Sequence, residues 1–241
     1  MLAGKPWFGA RPVFPDLHPG DTYWHIYPET TPTGDPIDPR AANPVSKARL
    51  AMPGTHAMYY LGNTLTGVLW ETVLRWVEPD ANLRVEIRHT TLKGLRAVKI
   101  KRAAGLSSMP WLPLFQPTAR AHGFTPDSSA WAEIQKHLNE PDHTKTHDVA
   151  KELFSELQSH GIPQMPVLAW ASRQHQASRV YLAYDPPMSS GWWDTVGSSI
   201  ALDDPVGHDL IRDELKKCGF TWLDDPLYDA ATTPIGPMGK S

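Results

Sequence analysis

The sequence predicts an α+β fold with a mainly antiparallel sheet, and three observations carry that expectation. Strand-like and helix-like stretches both occur along the 241 residues, yet they do not alternate regularly enough for a doubly wound parallel sheet. Residues 83–88 (LRVEIR) put Leu83, Val85 and Ile87 on one face and Arg84, Glu86 and Arg88 on the other, the pattern of a half-buried antiparallel strand. The stretch from Lys47 to Trp76 switches from a period of two to the helical period and has no Lys, Arg, Asp or Glu between Arg49 and Glu71. The rest of the chain is organised around that stretch.

In order, residues 1–45 are rich in Pro, Gly and Asp, with one aromatic island, Tyr23 to Tyr27, that reads as a short strand. Residues 57–61 alternate as a strand, with Ala57, Tyr59 and Leu61 opposite Met58 and Tyr60. Residues 65–76 follow as a helix whose apolar stripe is Leu65, Val68, Leu69, Thr72, Val73 and Trp76. Strands are expected at 83–88 and, after a turn at Lys93-Gly94, at 95–100. The stretch 105–147 is irregular, with a short helix at 129–138 capped by Ser129. A helix over 148–160 takes Asp148 as its N-cap and Gly161 as its stop, with Val149, Leu153, Phe154 and Leu157 inward. Strands at 166–172 and 179–184 flank the polar RQHQAS. A last helix at 205–217 has Asp204 as N-cap, Pro205 at its first position and Lys216 and Lys217 in its last turn. Residues 224–241 are low in apolar content and expected to be loose.

Composition narrows the function classes. A net charge of −3 with no basic run leaves no nucleic-acid footprint. The uncharged 50–70 run is broken by Pro53, Gly54, His56, Asn63 and Gly67, so it reads as core rather than a membrane span. One cysteine, Cys218, rules out an intrachain disulfide framework and a Cys-cluster zinc site. MLAGKPWFGARPVF has no continuous apolar segment of the secretory kind, so folding in the cytoplasm is expected. The ten Trp and 24 Pro imply a loop-rich domain with large aromatic contacts.

The common phosphate-loop, dinucleotide, nucleophile-elbow and metalloprotease motifs are missing from the sequence. His143 and His147 are spaced for one helix face but have no evident third ligand, so no metal is expected. Cys218 reads as a small hydrophobe rather than a nucleophile. Glu71 lies off the apolar stripe, beside Gly67, Trp70 and Leu74. It is a surface carboxylate on a helix edge, a structural ion-pair partner of Arg75, or a working carboxylate facing a pocket, because a bare buried charge costs several kcal/mol. With it stand Arg49, eleven residues before Tyr60; Tyr60, eleven before Glu71; and Ser172, which closes a strand at the mouth of a loop. Each also has an ordinary reading: a surface ion pair for Arg49, core packing for Tyr60, a strand-end cap for Ser172.

These residues are where the sequence resembles the RES domain family, named for its Arg, Glu and Ser. The resemblance runs over about 20–185, through ARLAMPG, HAMYYLGNTLTGVLWET, LRVEIR, the helix 148–160 and LAWASRQH leading into VYLAY. It divides the chain into an N-terminal extension (1–19), a RES-like domain (20–185) and a C-terminal extension (186–241). It implies an ADP-ribosyltransferase-like fold, two packed mainly antiparallel sheets forming a cleft with flanking helices. It also implies a toxin that consumes NAD, opposed by an Xre-like antitoxin. Carried over by position, Arg49, Tyr60, Glu71 and Ser172 match the family's functional residues. His25 stands where the family usually has another arginine, and Leu50-Ala51-Met52-Pro53-Gly54 departs from its usual aromatic-Asn pattern.

The resemblance assigns Glu71 to stabilise a sugar cation, Arg49 to catalysis and to gripping the pyrophosphate, Tyr60 to stacking on nicotinamide, and Ser172 and His25 to contacts with NAD. Two alternatives stand beside it: an altered module that binds NAD or ADP-ribose without turnover, and an ADP-ribosyltransferase acting on a macromolecule. The N-terminal aromatics Trp7, Phe8 and Phe14 serve either an antitoxin interface or the core. The acceptor and self-association are left open.

Overall fold

The computed structural model describes residues 7–8, 11–46, 48–106, 108–114, 129–140 and 142–223, the first two residues of the 129–140 segment by backbone only. The expected loose stretch at 224–241 and part of the irregular stretch 105–147 lie outside the described residues. The strands are β1 (Thr22–Pro28), β2 (Ala57–Gly62), β3 (Arg84–Val85), β4 (Leu95–Arg102), β5 (Trp111–Pro113), β6 (Val167–Ala171), β7 (Arg179–Asp185), β8 (Trp193–Thr195), β9 (Ile200–Ala201) and β10 (Thr221–Trp222). The helices are α1 (Leu65–Glu71), α2 (His89–Leu92), α3 (Ser129–Leu138), α4 (Thr144–Ser159) and α5 (Pro205–Lys217). The architecture is α+β, as expected.

Eight strands form one ladder in the order β5-β6-β7-β2-β1-β4-β8, with β9 also on β4; every pairing in it is antiparallel except β5 with β6. Its two halves meet at a single residue pair, Trp24 with Gly62, where β1 starts to leave β2. Beyond that point Asn43 takes over the edge of β2, exchanging hydrogen bonds of 2.8 and 3.0 Å with Met58. The ladder is therefore two four-stranded wings joined at a narrow waist.

Strand alternation sorts the core. One face of the ladder carries Tyr23, Tyr27, Tyr59, Tyr181 and Trp193. The opposite face carries Met58, Leu168, Trp170, Leu182 and Tyr184 against α3 and α4 on one wing. On the other wing, α1 and α5 bring Leu65, Leu69, Ile211 and Leu215 over Trp24, Ile26 and Ala97. Trp7 and Phe8 are buried in the α3–α4 cluster and Phe14 packs against it, so these aromatics serve the core and offer no exposed interface.

Several elements depart from the sequence reading. The central helix ends at Glu71 instead of 76. The Thr72 hydroxyl donates back to the Val68 carbonyl (2.6 Å) and the Leu74 amide to Leu69 (2.9 Å), closing the helix with a wide turn. Trp76 thereby leaves the stripe and is 78% exposed. The strand expected at 83–88 shrinks to β3, which pairs in parallel with β10 outside the main sheet. Leu83 is exposed with φ of 59°, while Val85 and Ile87 are buried as expected. Helix α4 begins one turn before Asp148. Asp142 meets its first turn, accepting from the Thr144 amide (3.0 Å) and hydroxyl (2.6 Å), so Asp148 is an exposed helical residue rather than the N-cap. Asp204 does cap α5, accepting from the Gly207 amide at 2.7 Å.

Candidate active site

Helix α1 presents Glu71 from its last residue, and the β6–β7 hairpin loop, 172–178, comes to meet it. The Ser172 hydroxyl donates to Glu71 Oε1 at 2.6 Å and the Arg173 amide donates to the same oxygen at 2.8 Å. The His175 amide donates to Ser172 Oγ at 3.0 Å. That bond occupies a lone pair of Ser172, so its single proton is committed to the carboxylate. Ser172, 1% exposed, therefore holds Glu71 in place and has no proton left for a ribose or phosphate.

The same loop is tied to the other end of α1. The His175 Nδ1 bonds Ser178 Oγ (2.7 Å), and Ser178 Oγ bonds Thr64 Oγ1, whose side chain caps α1 by accepting from the Gly67 amide (3.0 Å). Gly67 makes this contact possible, because a Cβ there would lie 2.4 Å from the Ser178 Cβ. Helix and loop are thus joined at both ends. On its far side, α1 is fixed by the Thr66 hydroxyl, which donates to the buried Glu214 of α5.

Tyr60 projects from β2 toward the same carboxylate, with its ring edge-on to Trp170 at 6.0 Å between centroids. Burial, and after it the negative charge of Glu71 with its hydrogen bond, push the Tyr60 phenol well above its ordinary range. The phenol stays protonated as a donor beside Glu71.

Arg49 is also beside this group, but its fork is occupied. Nη1 donates to the carbonyls of His137 in the last turn of α3 (2.8 Å) and of Glu140 just past it (2.9 Å), and Nη2 approaches His143 Nε2 at 3.3 Å. The following residue, Leu50, has φ of 59° and is locked by Thr146 Oγ1, which accepts from its amide (2.7 Å), and by the Tyr184 hydroxyl on its carbonyl (2.8 Å). Burial lowers the Arg49 pKa, Glu71 raises it again, and Arg75 opposes that. Arg49 thus serves as a strut at the end of a helix, a role the sequence reading did not include.

Arg75, read from sequence only as a partner for Glu71, reaches instead to His143 Nε2. His143, read from sequence as one of two imidazoles without a third ligand, lies between two guanidinium groups, which disfavours a cation there. Arg49, Arg75 and Arg173 all feel one another's charge around Glu71, which makes the rim net positive among the described residues. Among the described residues, no group of three His, Cys, Asp or Glu is placed to hold a metal ion.

His25 is not brought to this group. Strand alternation turns it to the opposite face of the ladder, with Tyr59 at 4.3 Å and Tyr27 at 5.7 Å between ring centroids. Its Nδ1 bonds the Tyr60 carbonyl at 2.7 Å, which replaces a ladder bond where β1 leaves β2. There it walls a separate, mainly apolar cavity of about 800 Å³ with Tyr27, Ile37 and Asn43. Burial pulls its pKa down to about 4, outweighing that hydrogen bond.

A second cavity, of about 310 Å³, opens on the Glu71 side and includes Ser172 and Arg173 in its wall. Sequence reasoning missed its residues from α3, and also the Thr64–Ser178–His175 chain. The Thr64-x-x-Gly67 cap was readable at the start of an apolar run, but its partner lies 114 residues away.

No family model matches this chain, and no curated protein matches it either. No described helix is long and apolar enough to cross a membrane. Among solved structures, the chain is similar to the M. tuberculosis MbcT–MbcA toxin–antitoxin complex, at 14% identity with 79% of this chain and 88% of that chain covered and a TM-score of 0.48. At that identity and TM-score, the chemistry has to be read from this chain's own residues.

Proposed function

We propose that this protein cleaves the bond between nicotinamide and ribose in NAD. The observation that carries the reading is the Glu71 carboxylate, held by the Ser172 hydroxyl and the Arg173 amide and faced by the Tyr60 phenol. The sequence resemblance points the same way. As the C1′–N bond breaks, its electron pair stays on the pyridine nitrogen, which becomes neutral, and positive charge develops on the ribose. A fixed carboxylate stabilises that charge without having to reorganise. In the simplest case a water oxygen then bonds to C1′ and gives up a proton, so the products are nicotinamide, ADP-ribose and a proton. The dinucleotide's two phosphates suit the rim of Arg75 and Arg173, since the Arg49 fork is already spent on carbonyls.

The test is to follow nicotinamide release from NAD by purified protein, with and without phosphate. Glu71→Gln is expected to slow release by roughly a hundredfold or more. No turnover at high protein concentration, or equal turnover by the variant, would reject the reading. Binding of ADP-ribose without turnover would favour the non-catalytic module, and label transfer from NAD to a macromolecule would favour a transferase. The proposal extends to a growth-inhibiting toxin held in check by an Xre-like antitoxin. Its expression in bacteria should then lower NAD and arrest growth, and the Gln variant should do neither.

A further inference from the structure

On the face of the ladder opposite Glu71, the cavity of about 800 Å³ walled by His25 lies in the gap that opens where β1 leaves β2. Its volume is that of a small-molecule site. Its floor is His25 and Tyr27, both buried, with rings 5° from parallel and 5.7 Å apart between centroids. Ile37 and Ala42 add apolar wall and pack against the tyrosine core of the same face.

Hydrogen bonds hold the walls apart. On one side the Ile37 amide donates to the Glu29 carbonyl (2.9 Å) and the Thr31 amide to that of Asp35 (2.8 Å). On the other, the Tyr59 hydroxyl donates to the Pro39 carbonyl (2.6 Å) and Asn43 is bridged to Met58. Pro28, Pro32, Pro36 and Pro44 also line the cavity, and their fixed φ stiffens it. A ligand therefore loses little affinity to ordering the site.

The polar chemistry of the wall is narrow. The Asp38 carboxylate is held by the Arg40 guanidinium at 3.0 and 2.9 Å, and Asn43 Oδ1 accepts from the Val45 amide (3.0 Å). No lysine or arginine is among the described wall residues, so a phosphate has no cation to meet. His25 is the remaining feature. Its Nδ1 proton goes to the Tyr60 carbonyl, and burial keeps the ring neutral, so Nε2 carries a lone pair. The residue is only 8% exposed, yet Nε2 has no hydrogen-bond partner among the described residues and is not enclosed by protein atoms, so it opens on the cavity.

We propose that this cavity binds a neutral aromatic small molecule with one N–H or O–H donor, its ring on the His25–Tyr27 floor and its donor on His25 Nε2. The apolar wall and the two parallel rings favour a flat apolar body. The buried lone pair demands a donor, because an acceptor shut in without one is costly. A molecule held there sits on the face away from Glu71 and is no substrate of that carboxylate, so its binding is independent of NAD cleavage.

The experiment is saturation-transfer NMR on the full chain with indole alone and with 1-methylindole alone as probes. Indole is expected to bind the wild type about tenfold more tightly, since methylation removes only the donor. The cavity has room for the extra methyl, and unspecific partition into apolar surface would favour the methylated probe instead. Ala42→Phe, which fills the cavity from its wall, should weaken indole by about tenfold or more. His25→Phe should erase the preference between the probes. Equal binding by the wild type, a preference for 1-methylindole, no binding of either probe, or indole binding unmoved in the Ala42 variant overturns the proposal. A preference kept without His25 overturns it as well. The wild-type comparison decides even if a variant fails to fold.

Discussion

The Ser172 hydroxyl and the Glu71 carboxylate, 101 residues apart in the chain, are joined by a 2.6 Å hydrogen bond in which serine can only be the donor. The consequence is an aimed carboxylate. One oxygen is taken by two loop donors, which orients the group toward whatever lies opposite.

Removing the serine proton should loosen that aim without emptying the site. Ser172→Ala is expected to lower kcat for nicotinamide release by about tenfold, leaving KM for NAD nearly unchanged. Steady-state kinetics of the two forms, side by side, check it.

Gly67 reverses an ordinary rule. Gly to Ala inside a helix normally stabilises by about 1 kcal/mol. Here the added Cβ would lie 2.4 Å from Ser178 Cβ and 2.7 Å from its hydroxyl, forcing the helix off the loop. Gly67→Ala should destabilise the fold by about 2 kcal/mol, measured as a lower urea midpoint with an unchanged slope, and should reduce activity through the displaced Glu71.

Arg49 should matter for stability as much as for catalysis. Lysine cannot serve two carbonyls and an imidazole with one compact ammonium in the geometry of a fork. Arg49→Lys is expected to cost about 2 kcal/mol by urea denaturation. A variant of full stability with only a raised KM for NAD would point instead to a phosphate-gripping role.

The buried histidine on the opposite face gives a pH signature. His25 takes a proton near pH 6.5 when unfolded but only near 4 when folded. The unfolded state therefore binds more protons between those values, so stability is full above about 6.5 and falls as pH drops toward 4. The loss reaches about 3 kcal/mol across that window. Glutamine can still donate to the Tyr60 carbonyl but does not titrate. His25→Gln should therefore show a shallower fall between pH 7 and 5 than the wild type, read by urea denaturation at each pH.

The sequence by itself determined the local elements and the candidates: the β2–α1 switch, the Asp204 cap, the β6–β7 pair, and Arg49, Tyr60, Glu71 and Ser172 as a set. Period, caps and turn residues are local physics, written within a few neighbours of each position. Only the tertiary structure decided what those residues do. Ser172 aims Glu71 because the β6–β7 loop packs back onto the end of α1, 101 residues away, and Arg49 became a strut because the end of α3 brings two carbonyls beside it. His25 went to the other face through the parity of β1, and Trp76 became exposed because Thr72 closed the helix early. Long-range partners and side-chain direction are set by how the elements pack, and no spacing along the chain encodes them.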